Sequence, residues 1–230
     1  MKIGFMGLGK LGLPCALSID EKGHDVYGYD IDPSVETILE TKELPYREEG
    51  APELLQNHNI NFCDVENMVK NSDIIFVPIQ TPHDPYFEGT TRLPDERVDF
   101  DYTYLKSGLK TLSEEIDRQG NEKIVIIIST VLPGTVRREI KPILSSLIKL
   151  CYNPFFIAMG TTINDFVNPE FVLFGVDDKD AYEAAKEFYA TIHDRPVYEC
   201  TIEEAEMIKV SYNTYITMKI NLANVIMEAS

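Results

Sequence analysis

Apolar and polar positions along the 230-residue chain follow two alternating rhythms. Short, nearly unbroken apolar runs read as strands, and segments in which apolar residues recur every three or four positions read as helices. KIGFM near the start, a helical stretch over 11–22, HDVYGYD, and a further helical run after Pro33 give strand, helix, strand and helix in succession. That order is the βαβ signature of a parallel sheet with helices on its faces. NSDIIFVPI over 71–79 and KIVIIIST over 123–130 are rich in β-branched residues and predict two more strands, buried on both sides. They run out at Thr81-Pro82 and Leu132-Pro133-Gly134. Turns are therefore expected at their C-terminal ends, the edge where open parallel sheets bind ligands.

The segment over 83–100, rich in Pro, Gly and charge, predicts a long loop or small hairpin over the same edge, a candidate lid. Beyond it lie an expected strand over 171–176, a helix over 180–192 and a strand over 196–200. Residues 202–230 carry Ala205, Ile208, Tyr212, Ile216, Ala223 and Ile226 at helical spacing on one broad apolar face. This helix is long for a globular protein and reaches Ser230 without a Gly or Asn stop signal, so it is expected to continue in a longer protein. The architecture expected is a Rossmann-type α/β domain over 1–200, followed over 201–230 by the beginning of a second, helical unit.

Composition narrows the function classes. With 44% apolar and 26% charged residues the chain has the profile of an ordinary globular protein and needs no disulfides to hold a core. A net charge of -17 and no local basic patch argue against nucleic acid or anionic membrane as a partner. No apolar run approaches the roughly 20 residues that cross a bilayer. Cys15, Cys63, Cys151 and Cys200 show no ligand spacing, which predicts reduced thiols and a cytoplasmic protein. His24, His58, His83 and His193 are equally scattered, so no metal site is expected.

Candidate chemistry starts at the first strand's end, where Gly7, Leu8, Gly9, Lys10, Leu11 and Gly12 form a GxGxxG turn opening onto a helix. The first glycine allows the tight turn, the second lets a pyrophosphate approach the backbone, and the third lets helix and strand pack closely. The helix N-terminus then meets the anion with free N–H groups. Asp30 ends the second strand, where an acid accepts hydrogen bonds from ribose hydroxyls. Ile31, Asp32 and Pro33 offer no arginine for a 2′-phosphate, so NAD is expected rather than NADP. The bland alternative is that Asp30 caps the helix after Pro33 and the glycines merely close a turn.

Beyond this motif, MKIGFMGLGKLGLPCALSI, YGYDID, Thr81-Pro82, STVLPGT from Ser129, YNPFFIAMGTTINDFVNPEFVLFG from Tyr152 and EAEMIKVSYNTYITMKI from Glu204 occur in one order and spacing. Taken together the chain resembles the nucleotide-sugar dehydrogenases, the UDP-glucose and GDP-mannose 6-dehydrogenase family. The resemblance implies an NAD-dependent oxidation of a nucleotide sugar's primary alcohol to the uronate, in two hydride transfers, for polysaccharide synthesis. It places Thr81, Pro82, Ser129 and Thr130 at the cofactor, Thr130 also beside the reacting centre, and Lys209 with Asn213 as the pair that holds a water and stabilises an oxyanion. It also implies that residues 201–230 begin a central helical domain that builds a homodimer. Without the resemblance, Lys209 reads as an i,i+3 ion pair with Glu206 on a wet helix face and Thr130 as a strand-end hydroxyl bonding nearby backbone.

Two departures stand against the family pattern. Phe155 and Met159 occupy the places of two glutamates, and neither exchanges a proton; a missing general base typically costs about 10²–10⁴-fold. The family's nucleophilic cysteine belongs to a glycine-rich motif beyond the Lys/Asn helix, and none of the four cysteines here matches it. Two other readings therefore stay open: a non-catalytic or divergent NAD-binding module, and a β-hydroxyacid dehydrogenase.

Overall fold

The computed structural model describes residues 1–87, 92 and 94–229. Among them eight strands form one sheet: β1 (Lys2–Met6), β2 (Asp25–Tyr29), β3 (Asn61–Phe62), β4 (Ile74–Val77), β5 (Lys123–Ile127), β6 (Ile148–Tyr152), β7 (Val172–Val176) and β8 (Val197–Cys200), in the order β3-β2-β1-β4-β5-β6-β7-β8. From β3 to β6 every neighbouring pair is parallel, so six C-terminal ends share one edge. The strand order reverses between β1 and β4, and a crevice opens at such a reversal.

Helices cover both faces, which is why the central strands can be apolar throughout. On one side α1 (Gly12–Glu21) and α7 (Lys179–Ala190) pack on Ile3, Phe5, Phe76 and Phe174. Phe76 stacks on Phe5 at 5.3 Å between ring centroids and meets Phe188 at 5.2 Å. On the other, α4 (Val65–Asn71) and α5 (Thr103–Gln119) pack on Ile75, Val77, Val125 and Ile127. Leu105, Leu109, Leu112 and Ile116 form the buried stripe of α5, and Gly120, at φ +70°, ends it by donating its N–H to the Ile116 carbonyl. Each such side chain taken from water contributes on the order of 1.5–3 kcal/mol.

Several boundaries differ from the sequence expectation. The strand expected over 71–79 shrinks to β4, because Asn71 belongs to α4 and bonds back to the Asn67 carbonyl at 2.8 Å. The one expected over 123–130 stops at Ile127, because the Ser129 hydroxyl turns sideways to the carbonyls of Val77 and Ile79. Within 83–100 there is a 3-10 turn at Pro85–Phe87; residues 88–91 and 93 of the candidate lid lie outside the described residues.

β7 is antiparallel to β6 and pairs only with Cys151 and Tyr152, so it starts beyond the end of β6 and overhangs the ligand edge. The last helix, α8 (Ile202–Ala229), docks its first turns here: a methyl on Gly175 would sit 2.8 Å from Ala205 Cβ. The continuous apolar face expected on this helix is not buried. Ala205 is, but Ile208, Tyr212 and Ile226 are exposed, because the helix leaves the sheet, and among the described residues from Ser211 onward only Ile216 is partly covered. Among the described residues no helix is long and apolar enough to cross a membrane. Short α2 (Ser34–Thr41), α3 (Ala51–Asn57) and α6 (Thr162–Val167) complete the fold.

Candidate functional site

The glycine turn is built by three different requirements. Gly7 has φ +119°, where a side chain is strained, and its N–H donates to the Tyr29 carbonyl at 2.8 Å. A methyl at Gly12 would lie 2.2 Å from the Gly7 oxygen and 2.9 Å from Pro78 Cγ, so α1 begins in contact with the turn and with the loop after β4. Gly9 has nothing within 4 Å of that position and faces open space. No side chain caps α1 and no acid stands in its first turn, which leaves the positive end of the helix to a ligand. Leu8 is buried beneath the turn against Gly28, Leu11 is partly buried, and exposed Lys10 carries its ammonium 5.9 Å from the Tyr46 ring.

Asp30 points into this turn. Its Oδ2 accepts from the Leu8 N–H at 2.6 Å and its Oδ1 from the Asp32 N–H at 2.9 Å. The capping alternative fails: Pro33 precedes α2 without a side-chain cap, and it is Asp32 that accepts from the Ser34 N–H. That bond holds the Asp32 carboxyl below the usual range. A 2′-phosphate arriving here would meet the carboxylates of Asp30 and Asp32.

Across the crevice the loops after β4 and β5 are joined. Thr81 Oγ1 donates to the Thr130 carbonyl at 2.6 Å, and Ser129 Oγ donates to the Ile79 carbonyl at 2.5 Å. This sets Thr81, Pro82, Ser129 and Thr130 side by side at the sheet's ligand edge. Lys209 and Asn213 line a separate part of that edge, a cavity of about 700 Å³ bounded by the segment after β6, by α6 and by α8; Thr130 is not among its lining residues.

In this cavity Lys209 is 7% exposed. Its ammonium donates to the Phe155 carbonyl at 2.6 Å and lies 5.3 Å from the Phe156 ring centre. Burial lowers its pKa to about 8. The ion pair with Glu206 does not form. Glu206 is 0% exposed and turned the other way, its two oxygens accepting from the N–H groups of Gly134 (2.5 Å) and Val136 (2.8 Å). Burial raises its pKa although both amides pull it down. The acid thereby ties the helix of Lys209 to the turn that follows Thr130. Of the two departures noted above, Phe155 packs its ring on Phe166 and also borders the cavity, whereas Met159 is 66% exposed and does not.

A second buried acid escaped sequence reasoning. Glu48, 3% exposed, accepts at Oε2 from the Gly160 N–H (3.0 Å) and from Thr162 Oγ1 (2.9 Å), and fixes the start of α6. Its Oε1 and the neighbouring Tyr46 hydroxyl are buried without a partner among the described residues, and burial pushes the Tyr46 hydroxyl up to about 12. Glu48→Ala should lower stability in a urea melt by about 1–2 kcal/mol, the loss of two hydrogen bonds offset by removal of one unpaired oxygen. An unchanged midpoint would show that the loop after Ala158 is held by other contacts.

All four cysteines are free thiols, and burial raises those of Cys15 and Cys151 far above their ordinary value, which leaves them unreactive. Among the described residues no group of three His, Cys, Asp or Glu side chains could hold a metal ion.

Comparison with known proteins gives a consistent picture. The model of the UDP-glucose/GDP-mannose dehydrogenase family, NAD binding domain, matches residues 1–193. An uncharacterized protein of Methanocaldococcus jannaschii is 34% identical over 97% of this chain, which covers 25% of that protein. UDP-glucose 6-dehydrogenase of Haloferax volcanii is 28% identical over 97% of this chain and 53% of its own length. The ternary-complex crystal structure of GDP-mannose dehydrogenase from Pseudomonas aeruginosa matches with a TM-score of 0.87 and 28% identity, over 97% of this chain and 52% of that one. The chain thus spans about half the length of these two dehydrogenases. With residues 1–193 of its 230 matched by that family's model, the chain belongs to the UDP-glucose/GDP-mannose dehydrogenase family and carries its NAD-binding domain.

Proposed function

We propose that this chain is the coenzyme half of an NAD-dependent nucleotide-sugar 6-dehydrogenase acting on a UDP-glucose-like substrate. The observation that supports it most is the buried Lys209 ammonium lying with Asn213 in one cavity, on the same sheet edge as the open glycine turn. In this reading the backbone around Gly9, Lys10 and Leu11 binds the pyrophosphate, with Gly7, Leu8 and Gly12 shaping the turn. Asp30 accepts from the adenosine ribose, and Thr81, Pro82, Ser129 and Thr130 border the nicotinamide end. Bound NAD would supply the hydride acceptor for the sugar's alcohol carbon. Lys209 and Asn213 would hold a water and stabilise negative charge on the sugar oxygen, since i and i+4 positions converge from one helix face. Residues 1–200 form the coenzyme domain in this proposal, and 201–230 begin a central helical domain that builds a homodimer. The exposed Tyr215, Met218, Leu222 and Ile226 are in keeping with such an interface. Four unpaired thiols are in keeping with a cytoplasmic setting.

Calorimetric titration tests the coenzyme assignment: NAD should bind the chain more tightly than NADP. Asp30→Arg should weaken NAD by roughly tenfold to a hundredfold, the value of a charged acceptor's hydrogen bonds, while relaxing the discrimination against NADP. Unaltered NAD affinity in that variant would remove Asp30 from the ribose. A second reading, an NAD-binding module without catalysis, is favoured by one observation, that neither Phe155 nor Met159 can exchange a proton. NADH absorbance on mixing the full-length protein with NAD and UDP-glucose or GDP-mannose separates the two; absence of reduction across these sugars selects the module.

A further inference from the structure

We infer that Tyr102 is a positioning residue for the coenzyme, its hydroxyl holding the turn that carries Thr130 where the nicotinamide end would meet it. The inference rests on the placement of that end proposed above and adds to it a buried residue that acts through the turn.

Three segments meet at the ligand edge beside β4 and β5, and each is bonded to the other two. Thr81, after β4, donates its hydroxyl to the Thr130 carbonyl at 2.6 Å. Asp101, on the approach to α5, donates its N–H to the Pro82 carbonyl at 2.8 Å. Tyr102 closes the triangle: its hydroxyl oxygen accepts from the Leu132 N–H at 3.1 Å and from Thr135 Oγ1 at 3.3 Å. The phenol's own hydrogen goes to Asp99 Oδ1, and Arg138 holds the other oxygen of Asp99 at 3.1 Å. Tyr102 is 5% exposed, its ring part of the core on that side of the sheet. Burial, with Asp99 beside it, pushes the phenol up to about 12, so at neutral pH it stays a hydroxyl that gives one hydrogen bond and receives two. Thr135 is fully buried, which makes water a poor substitute for the phenol oxygen. Glu206 grips the same turn further on, at Gly134 and Val136, so Tyr102 acts on its Thr130 side. Of the three ties, this one can be cut without altering Thr81, Pro82, Ser129 or Thr130. With it cut, the turn gains other positions, and the coenzyme must select the one that meets its nicotinamide end. Adenosine and diphosphate, bound across the crevice at the glycine turn, do not depend on that selection.

The test compares NADH with ADP, which keeps the adenosine and diphosphate and lacks the nicotinamide half, by calorimetric titration of the full-length protein. Tyr102→Phe, which keeps the buried ring, should weaken NADH by roughly tenfold, the worth of one buried hydrogen bond transferred to the coenzyme, and leave ADP unchanged. The fluorescence of the dihydronicotinamide ring, enhanced and blue-shifted when the ring is held out of water, should move back towards that of free NADH in the saturated variant. A merely structural role would lower the melting temperature and change neither affinity, or both together; either result overturns the inference. Asp99→Ala, at the surface, removes the acceptor that turns the phenol's lone pairs towards Leu132 and Thr135. It should weaken NADH by about twofold to fivefold, the range of an exposed charged contact, again without effect on ADP. Should Tyr102→Phe not fold, unaltered NADH affinity in Asp99→Ala overturns the inference instead. If NADH bound to the unsubstituted protein keeps the fluorescence of the free coenzyme, the placement of the nicotinamide end falls, and the inference with it. An enhanced signal that survives Tyr102→Phe at full affinity removes the part given to Tyr102 alone.

Discussion

Gly12→Ala should cost both fold and coenzyme, whereas Gly9→Ala should cost the coenzyme alone. At Gly12 the added methyl would stand 2.2 Å from a backbone oxygen of the turn, and no rotamer change relieves a clash between backbone and Cβ. Overpacking of this kind destabilises by on the order of 3 kcal/mol, and the shift of α1 away from the turn displaces its N–H groups. Misplacing binding groups by about an ångström weakens NAD by roughly tenfold to a hundredfold. At Gly9 the methyl enters open space, so the melting curve should match that of the unsubstituted protein while NAD titration shows the loss. Equal NAD affinity in Gly9→Ala would mean that the pyrophosphate does not pass over this turn.

Glu206→Ala is the second large effect expected. The substitution would leave the amides of Gly134 and Val136 without an acceptor in a region where Val136 is fully buried. Each unsatisfied buried donor costs about 1–3 kcal/mol, so a urea melt should show a loss of roughly 2–5 kcal/mol. Glu206→Gln should fall between, because its amide oxygen can accept where its NH₂ group meets a second donor head on. A Gln variant as unstable as the Ala variant would place the stabilisation in charge rather than in hydrogen bonding. The same acid spans Thr130's turn and Lys209's helix, so the Ala variant should also broaden the NMR signals of both.

Much of this arrangement is legible in the chain. The run from KIGFM through the glycines to Asp30 encodes strand, turn, helix and acid within 30 residues, because every contact that defines it is short in sequence. The stripe Leu105, Leu109, Leu112 and Ile116 with Gly120 behind it carries an equally plain helical signal that sequence reading passed over. β3 pairs over two residues only, too few for any periodicity to register. The buried acids are a different matter. Glu48 meets amide and hydroxyl donors 112 and 114 positions away, and Glu206 meets amides 72 and 70 positions away, so nothing local distinguishes them from the acids that face water. Lys209 shows the same limit: its spacing from Glu206 fits a surface ion pair, and only the sheet's overhang and the NPFF segment put it indoors.

The uneven cover of α8 divides that helix into two energetic halves. Residues up to Val210 open only when the sheet itself comes apart, since Ile202 and Ala205 are packed against it and Glu206 is anchored there. Past Ser211 the helix is mostly exposed, with Tyr212 against the Phe156 ring at 4.8 Å and Ile216 partly covered, so burial within this domain contributes little to holding it. Opening of this exposed half needs no disruption of the sheet, so its amides should exchange with solvent sooner than those of the docked half, and any surface that settles on it slows that exchange.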